Sequence, residues 1–124
     1  LKDFFPSLDV RRVKRTFEGL GYNEGVASVL ALLCTETPAV PVTFDGVRRH
    51  VAVGSRSVPQ GACTSPELTN LMARRLDARL SGAAASLGFA YTRYADDLTF
   101  SHPKPGAPVG ALLTLVRRIV AAER

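Results

Sequence analysis

Two aspartates stand side by side in Tyr94-Ala95-Asp96-Asp97, between the runs Phe89-Ala90-Tyr91-Thr92-Arg93 and Leu98-Thr99-Phe100-Ser101. The flanking runs are rich in aromatic and β-branched residues, which predicts a hairpin with the carboxylates at its tip. Neighbouring carboxylates repel one another, so a divalent cation is the natural compensation. The chemistry such a pair favours is metal-assisted phosphoryl transfer. Taken alone, an Asp-Asp pair in a turn is ordinarily just a solvated turn. This pair is accompanied upstream by Val58-Pro59-Gln60-Gly61-Ala62-Cys63-Thr64-Ser65-Pro66, and near the start by Asp3-Phe4-Phe5-Pro6-Ser7.

Several elements must position these segments. Residues 9–20 have a helical pattern: Asp9 can cap, Val10, Val13, Phe17 and Leu20 recur at helical spacing, and Arg11, Arg12, Lys14 and Arg15 fall opposite. A second helix is expected from Asn23 as cap, with Val26, Val29, Leu30 and Leu33 as its apolar face, ending before Pro38. From Val40 the period becomes two, and Asp45-Gly46 predicts a hairpin turn. Thr64 and Glu67 have capping-box spacing at the start of a long helix whose stripe is Leu68, Leu71, Met72, Leu76 and Leu80, with Gly82 to Gly88 leading out of it. After the Asp-Asp hairpin and the loop His102 to Pro108, a last helix is expected through Val109, Leu112, Leu113, Val116 and Val120. This order predicts an α+β fold, an antiparallel sheet with helices packed on one face.

The chain has 124 residues, 46% of them hydrophobic, which is about one domain's worth of a globular fold. No apolar run approaches the roughly 20 residues of a membrane span, and the start lacks a secretion-signal layout, so a cytoplasmic location without a membrane partner is expected. Cys34 and Cys63 form neither a CxxC nor a His/Cys cluster, which speaks against a disulfide framework or a zinc site. The net charge of +5 favours a polyanionic partner. Of the 16 basic residues 13 are arginine, which suits bidentate contacts to phosphate but fits coding bias equally well.

In order and spacing, the three segments resemble the palm of reverse transcriptases, most closely the bacterial retron and group II intron-like branch. The likeness extends through Arg11-Arg12-Val13-Lys14 and Leu68-Thr69-Asn70-Leu71, and so covers nearly the whole chain. Three ordered matches, each in a suitable local structure, are far more specific than Tyr-x-Asp-Asp alone. The resemblance implies a partial right-hand polymerase palm over residues 1–124 as a single domain, with the N-terminal fingers and C-terminal thumb absent. It implies an RNA-directed DNA polymerase that adds dNTPs to the 3′-hydroxyl of a DNA or RNA primer on an RNA template, with two Mg2+ ions as cofactor. In retron-like relatives the template is a structured noncoding RNA, and group II intron maturases and the reverse transcriptases of antiviral defence share the same palm.

Residue by residue, the resemblance makes Asp96 a direct metal ligand and Asp97 a ligand or an assistant to one. Tyr94 would support the primer end, or else pack across the strands. Asp3 would lie beside the incoming triphosphate, meeting it through its amide, or else be a plain turn or cap residue. Phe5 falls where the family excludes a ribose 2′-hydroxyl, while Phe4 is expected in the core. Gln60 would meet the nucleotide's sugar, and Gly61 lets the backbone come close to a ligand. Arg56, Arg93, Arg48 and Arg49 could contact nucleic-acid phosphates or be solvated surface residues. His50 and His102 have no metal-ligand spacing. Val58 and Cys63 depart mildly from the leucine and proline common at their positions. The family's first metal-binding aspartate precedes the Leu-Lys-Asp-Phe-Phe segment by one position, and this chain begins at Leu1, so the 124 residues are not expected to extend a primer unaided. Asp3 cannot replace that aspartate, because two residues along a strand displace a carboxylate by about 7 Å. Competing readings are a nucleic-acid-binding module that does not polymerise, and a nucleotide cyclase, which the Gln60 and Phe5 matches disfavour.

Overall fold

A computed structural model describes residues 4–5 and 7–123. Of the N-terminal segment singled out in the sequence, Asp3 and Pro6 lie outside the described residues. The fold is α+β as expected: α1 (Val10–Gly19), α2 (Glu24–Leu33), β1 (Ala39–Phe44), β2 (Val47–Ala52), α3 (Ser65–Ser86), β3 (Ala90–Tyr94), β4 (Asp97–Ser101) and α4 (Val109–Ala122). The two hairpins form separate two-stranded antiparallel sheets rather than one. The described residues up to Thr69 make one compact unit and those from Asn70 onward another, with α3 running from the first into the second. No helix among the described residues is long and apolar enough to cross a membrane, and Cys34 and Cys63 are free thiols.

In the first unit the caps act as the sequence predicts. Asp9 accepts from the Arg12 amide at 2.8 Å and Asn23 from the Val26 amide at 3.0 Å, each satisfying a donor that has no partner inside its helix. Helix α1 buries Val13 and packs on α2, where Lys14 also pairs with Glu24 at 2.8 Å. The buried face of α2 departs from expectation: Ala27 and Ala31 are inside, while Val26, Val29 and Leu33 are exposed. Small side chains allow the two helices to approach closely, and this outweighs the larger apolar content of the opposite side. Strands β1 and β2 pair from Ala39↔Ala52 to Phe44↔Val47. Asp45 and Gly46 both take positive φ, 51° and 72°, as a two-residue turn with the twist of the strands requires.

The segment after β2 is sewn into the same unit. Ser57 exchanges backbone hydrogen bonds with Glu36, the Arg56 carbonyl accepts from the Val10 amide, and the Val58 amide donates to the Leu8 carbonyl. Ser65 is buried and donates through Oγ to the Pro59 carbonyl at 2.6 Å, which closes the loop onto the start of α3.

In the second unit the helices pack on one face of the β3–β4 hairpin. Leu76 and Leu80 of α3 and Ile119 of α4 form a buried cluster, against which Tyr91, Leu98, Phe100 and Val116 lie. Ala84, Phe89 and Leu112 form a second cluster. Helix α3 continues past Gly82, where the sequence suggested an exit, because the alanines at 83–85 are strong helix formers and one internal glycine costs only about 1 kcal/mol. It ends before Gly88, whose φ of 77° disfavours any side chain and where a Cβ would sit 3.1 Å from the His102 ring.

Candidate active site

The hairpin register sorts the β3–β4 side chains into two faces. Tyr94 pairs with Asp97, Arg93 with Leu98, Thr92 with Thr99 and Tyr91 with Phe100. Alternation therefore puts Tyr91, Arg93, Leu98 and Phe100 against the helices, and Thr92, Tyr94, Asp97 and Thr99 on the open side. Tyr94 is 84% exposed, and the exposed Asp97 is its direct cross-strand neighbour. Ala95 and Asp96 form the turn itself, and Ala95 takes a φ of 50°. The tip thus presents two carboxylates and a phenol ring within four residues.

Arg93, expected at nucleic-acid phosphates, is instead built into the fold, with its side chain 5% exposed. Its guanidinium grips Asp77 of α3 with two parallel bonds, Nε to Oδ1 at 2.8 Å and Nη2 to Oδ2 at 2.8 Å. Nη2 also reaches Asn70 Oδ1 at 3.2 Å, and Nη1 donates to the Ala95 carbonyl at 2.9 Å. Tyr91 completes the group, its hydroxyl donating to Asp77 Oδ1 at 2.7 Å. The Arg93 fork, and secondarily the Tyr91 hydroxyl, holds the Asp77 carboxyl below the usual carboxylate range. Burial, then the bond to Asp77, pushes the Tyr91 phenol well above its ordinary value. One signal in the sequence points to this group: Arg93 is a charge at an inward position of an otherwise apolar strand face, and such a charge needs a partner.

A depressed carboxyl pKa stabilises the fold above the unfolded value and loses that contribution as pH falls through the folded one. Thermal melts of the native protein and Asp77→Asn should therefore differ most near neutral pH. The gap should narrow as the pH falls below about 4, the ordinary range of an aspartate. A gap that stays constant over that range would mean the pair adds no pH-dependent stability.

The other predicted positions lie in the first unit. Phe4 is buried, as expected, and Phe5 is half-buried, with the two rings edge to face at 5.6 Å. Gln60 and Gly61 form an exposed turn, and Gly61 has a φ of 98° that disfavours any side chain. Arg56 donates from Nη2 to the Leu32 carbonyl at 2.7 Å and from Nε to Thr35 Oγ1 at 3.0 Å, so it ties this loop to the end of α2. Arg48 and Arg49 are exposed on β2. Asp3 lies outside the described residues. The structure thus groups Tyr94, Asp96 and Asp97 on one hairpin, and Phe5, Gln60, Gly61 and Arg56 within the other unit.

Among the described residues, no three His, Cys, Asp or Glu side chains gather as a metal cage. The carboxylate pair at an open tip nevertheless suits magnesium, which is usually held by one or two carboxylates together with substrate phosphates and water.

No protein-family profile matches the chain. Individual relatives do. It is 52% identical over 132 residues to the Retron Mx162 reverse transcriptase of Myxococcus xanthus, covering 99% of this chain and 27% of that protein. Against the Retron Mx65 reverse transcriptase of the same organism it is 54% identical, over 82% of this chain and 24% of the relative. Against the Retron Ec86 reverse transcriptase of Escherichia coli it is 43% identical, over 82% of this chain and 26% of the relative. Over most of its length the chain is thus similar to proteins named as reverse transcriptases. These relatives are named for retrons, and the chain spans about a quarter of the length of the curated relatives it matches.

Proposed function

We propose that this chain is the palm segment of a retron-type RNA-directed DNA polymerase, which extends a primer 3′-hydroxyl with deoxynucleotides on an RNA template. The observation that carries this reading is the open turn bearing Asp96 and Asp97 beside Tyr94, within a sequence 43–54% identical to proteins named as retron reverse transcriptases. Asp96 and Asp97 would hold two Mg2+ ions jointly with the substrate's phosphates and carboxylates from elsewhere in the full-length protein. The ions, when bound, activate the attacking hydroxyl and neutralise the leaving pyrophosphate.

The chain's own side chains contribute mainly by positioning. Tyr94 shares the open face with Asp97 and offers its ring to the primer end. Gln60 carries a donor and an acceptor suited to a sugar hydroxyl. Gly61 allows the backbone to approach the nucleotide, and Asp3 would serve the triphosphate. Exposed Arg48 and Arg49 suit template or primer phosphates better than Arg56 and Arg93, whose guanidinium groups are already bonded within the fold. In retron-like relatives the template is a structured noncoding RNA, and a partner of that kind is the one this reading proposes.

The test is incorporation of labelled deoxynucleotide by the full-length protein on a primed RNA with magnesium. Formation of a cyclic nucleotide, or binding of the RNA without incorporation, would overturn the reading. Phe5 acts in it as a steric gate against the 2′-hydroxyl. Phe5→Val should raise the ratio of kcat/KM for ribonucleotides over deoxynucleotides by about 10–100-fold, the range a pocket wall of this size gives. An unchanged ratio would remove Phe5 from that role.

A further inference from the structure

We propose that Arg93, anchored by Asp77, is a positioning residue that aims the carboxylates of Asp96 and Asp97 by holding the Ala95 carbonyl between them and the strand. The inference rests on the reading of those carboxylates as the reacting centre. Its structural basis is a continuous chain of short contacts. Asn70 and Asp77 stand seven residues apart on α3, two turns along one face, and both accept from Nη2 of Arg93. The Tyr91 hydroxyl fixes the Asp77 carboxylate from the strand side. The remaining arm of the guanidinium, Nη1, ends on the Ala95 carbonyl at 2.9 Å.

That carbonyl belongs to the peptide unit whose amide is that of Asp96. Rotation of this unit swings the Asp96 Cα–Cβ bond, so a bond to the carbonyl fixes where the carboxylate points. The unit needs fixing, because Ala95 has a φ of 50°, a left-handed conformation that costs an L-residue about 1–2 kcal/mol. Such conformations persist only where the surroundings over-determine them, and they gather at functional sites. An ion pair this enclosed is weak evidence of stabilisation for its own sake. Its arginine is required by geometry: only a planar fork with five donors can hold both oxygens of Asp77 and still reach the turn. Lysine at this position could keep the charge and one contact, not all of them.

The test uses Arg93→Lys and Asp77→Asn in the full-length protein, with Asp96→Ala alongside. Loss of an outer residue that orients a metal ligand typically costs about 10–100-fold in metal affinity or activity. Both outer variants should stay folded at the assay temperature, Asp77→Asn with the lowered melting point expected above, and should leave KM for dNTP nearly unchanged. Their kcat should fall about 10–100-fold, and Mn2+ binding, followed by the loss of the free-ion signal in electron paramagnetic resonance, should weaken by a similar factor. Tyr91→Phe, which leaves the Arg93 bonds in place, should restore most of kcat relative to the other two.

Native kcat and Mn2+ affinity in Arg93→Lys, with Asp96→Ala inactive, would overturn the positioning role and spare the polymerase reading. Activity in Asp96→Ala equal to native would overturn both. If Arg93→Lys and Asp77→Asn both unfold, or lose activity only in proportion to the folded fraction, Arg93 is a stability residue and the proposal falls.

Discussion

Asp96→Asn in the full-length protein should lower the rate of single-nucleotide addition by about 10³-fold, roughly 4 kcal/mol of transition-state stabilisation. Asparagine has nearly the same volume, tolerates the turn conformation and keeps a side-chain oxygen, so the fold should melt as before. What it loses is the negative charge that draws a hard cation to the tip. The loss should appear in kcat under saturating primer and dNTP, and raised magnesium should recover only part of it. Asp97→Asn tests the companion role and should also reduce the rate. Native rates in Asp96→Asn would show that this carboxylate takes no part in the chemistry, and the polymerase reading would then lack its centre.

The second large effect lies beneath the hairpin. Leu80 is fully buried and joins Leu76 and Ile119 under Tyr91, Leu98 and Phe100. Truncation to alanine removes that contact and leaves a cavity, for which about 2–5 kcal/mol is expected. Set against a typical folding stability of about 5–15 kcal/mol, this is a large fraction. Chemical denaturation should show the loss, and hydrogen exchange should quicken in β3 and β4, which rest on this cluster. Leu113→Ala is the matched control. Leu113 falls in the apolar pattern of α4 by sequence but is 48% exposed, and its truncation should cost well under half as much. Equal losses at the two positions would contradict the packing described.

These two leucines also mark where the sequence is legible and where it is not. Local signals carry through: Asp9 and Asn23 cap as their types predict, Asp45-Gly46 makes its turn, and the carboxylates sit at a hairpin tip. Each depends on residues within a few positions of one another. Which side of an apolar helix faces inward depends on a distant partner. On α2 the pattern points to valine and leucine, whereas the buried residues are Ala27 and Ala31. Ile119, beside Arg117 and Arg118, is buried although the periodic stripe passes through Val116 and Val120. Of the site, Asp96, Asp97 and Tyr94 are visible in a four-residue motif. Of the Arg93–Asp77 pair only the inward arginine leaves a signal; its partner does not, because the two are sixteen residues apart and a lone Asp among arginines on a helix resembles a solvated face.

The two-face pairing of β3 with β4 has a consequence for how faults are detected. Were the strands to zip up one position out of step, Leu98 and Phe100 would turn to water while Asp97 was driven into oil. Such a molecule would forfeit its cohesion together with its capacity to react. Proofreading of the strand alignment therefore comes from the greasy underside, and every copy that survives as a stable fold presents its acids outward.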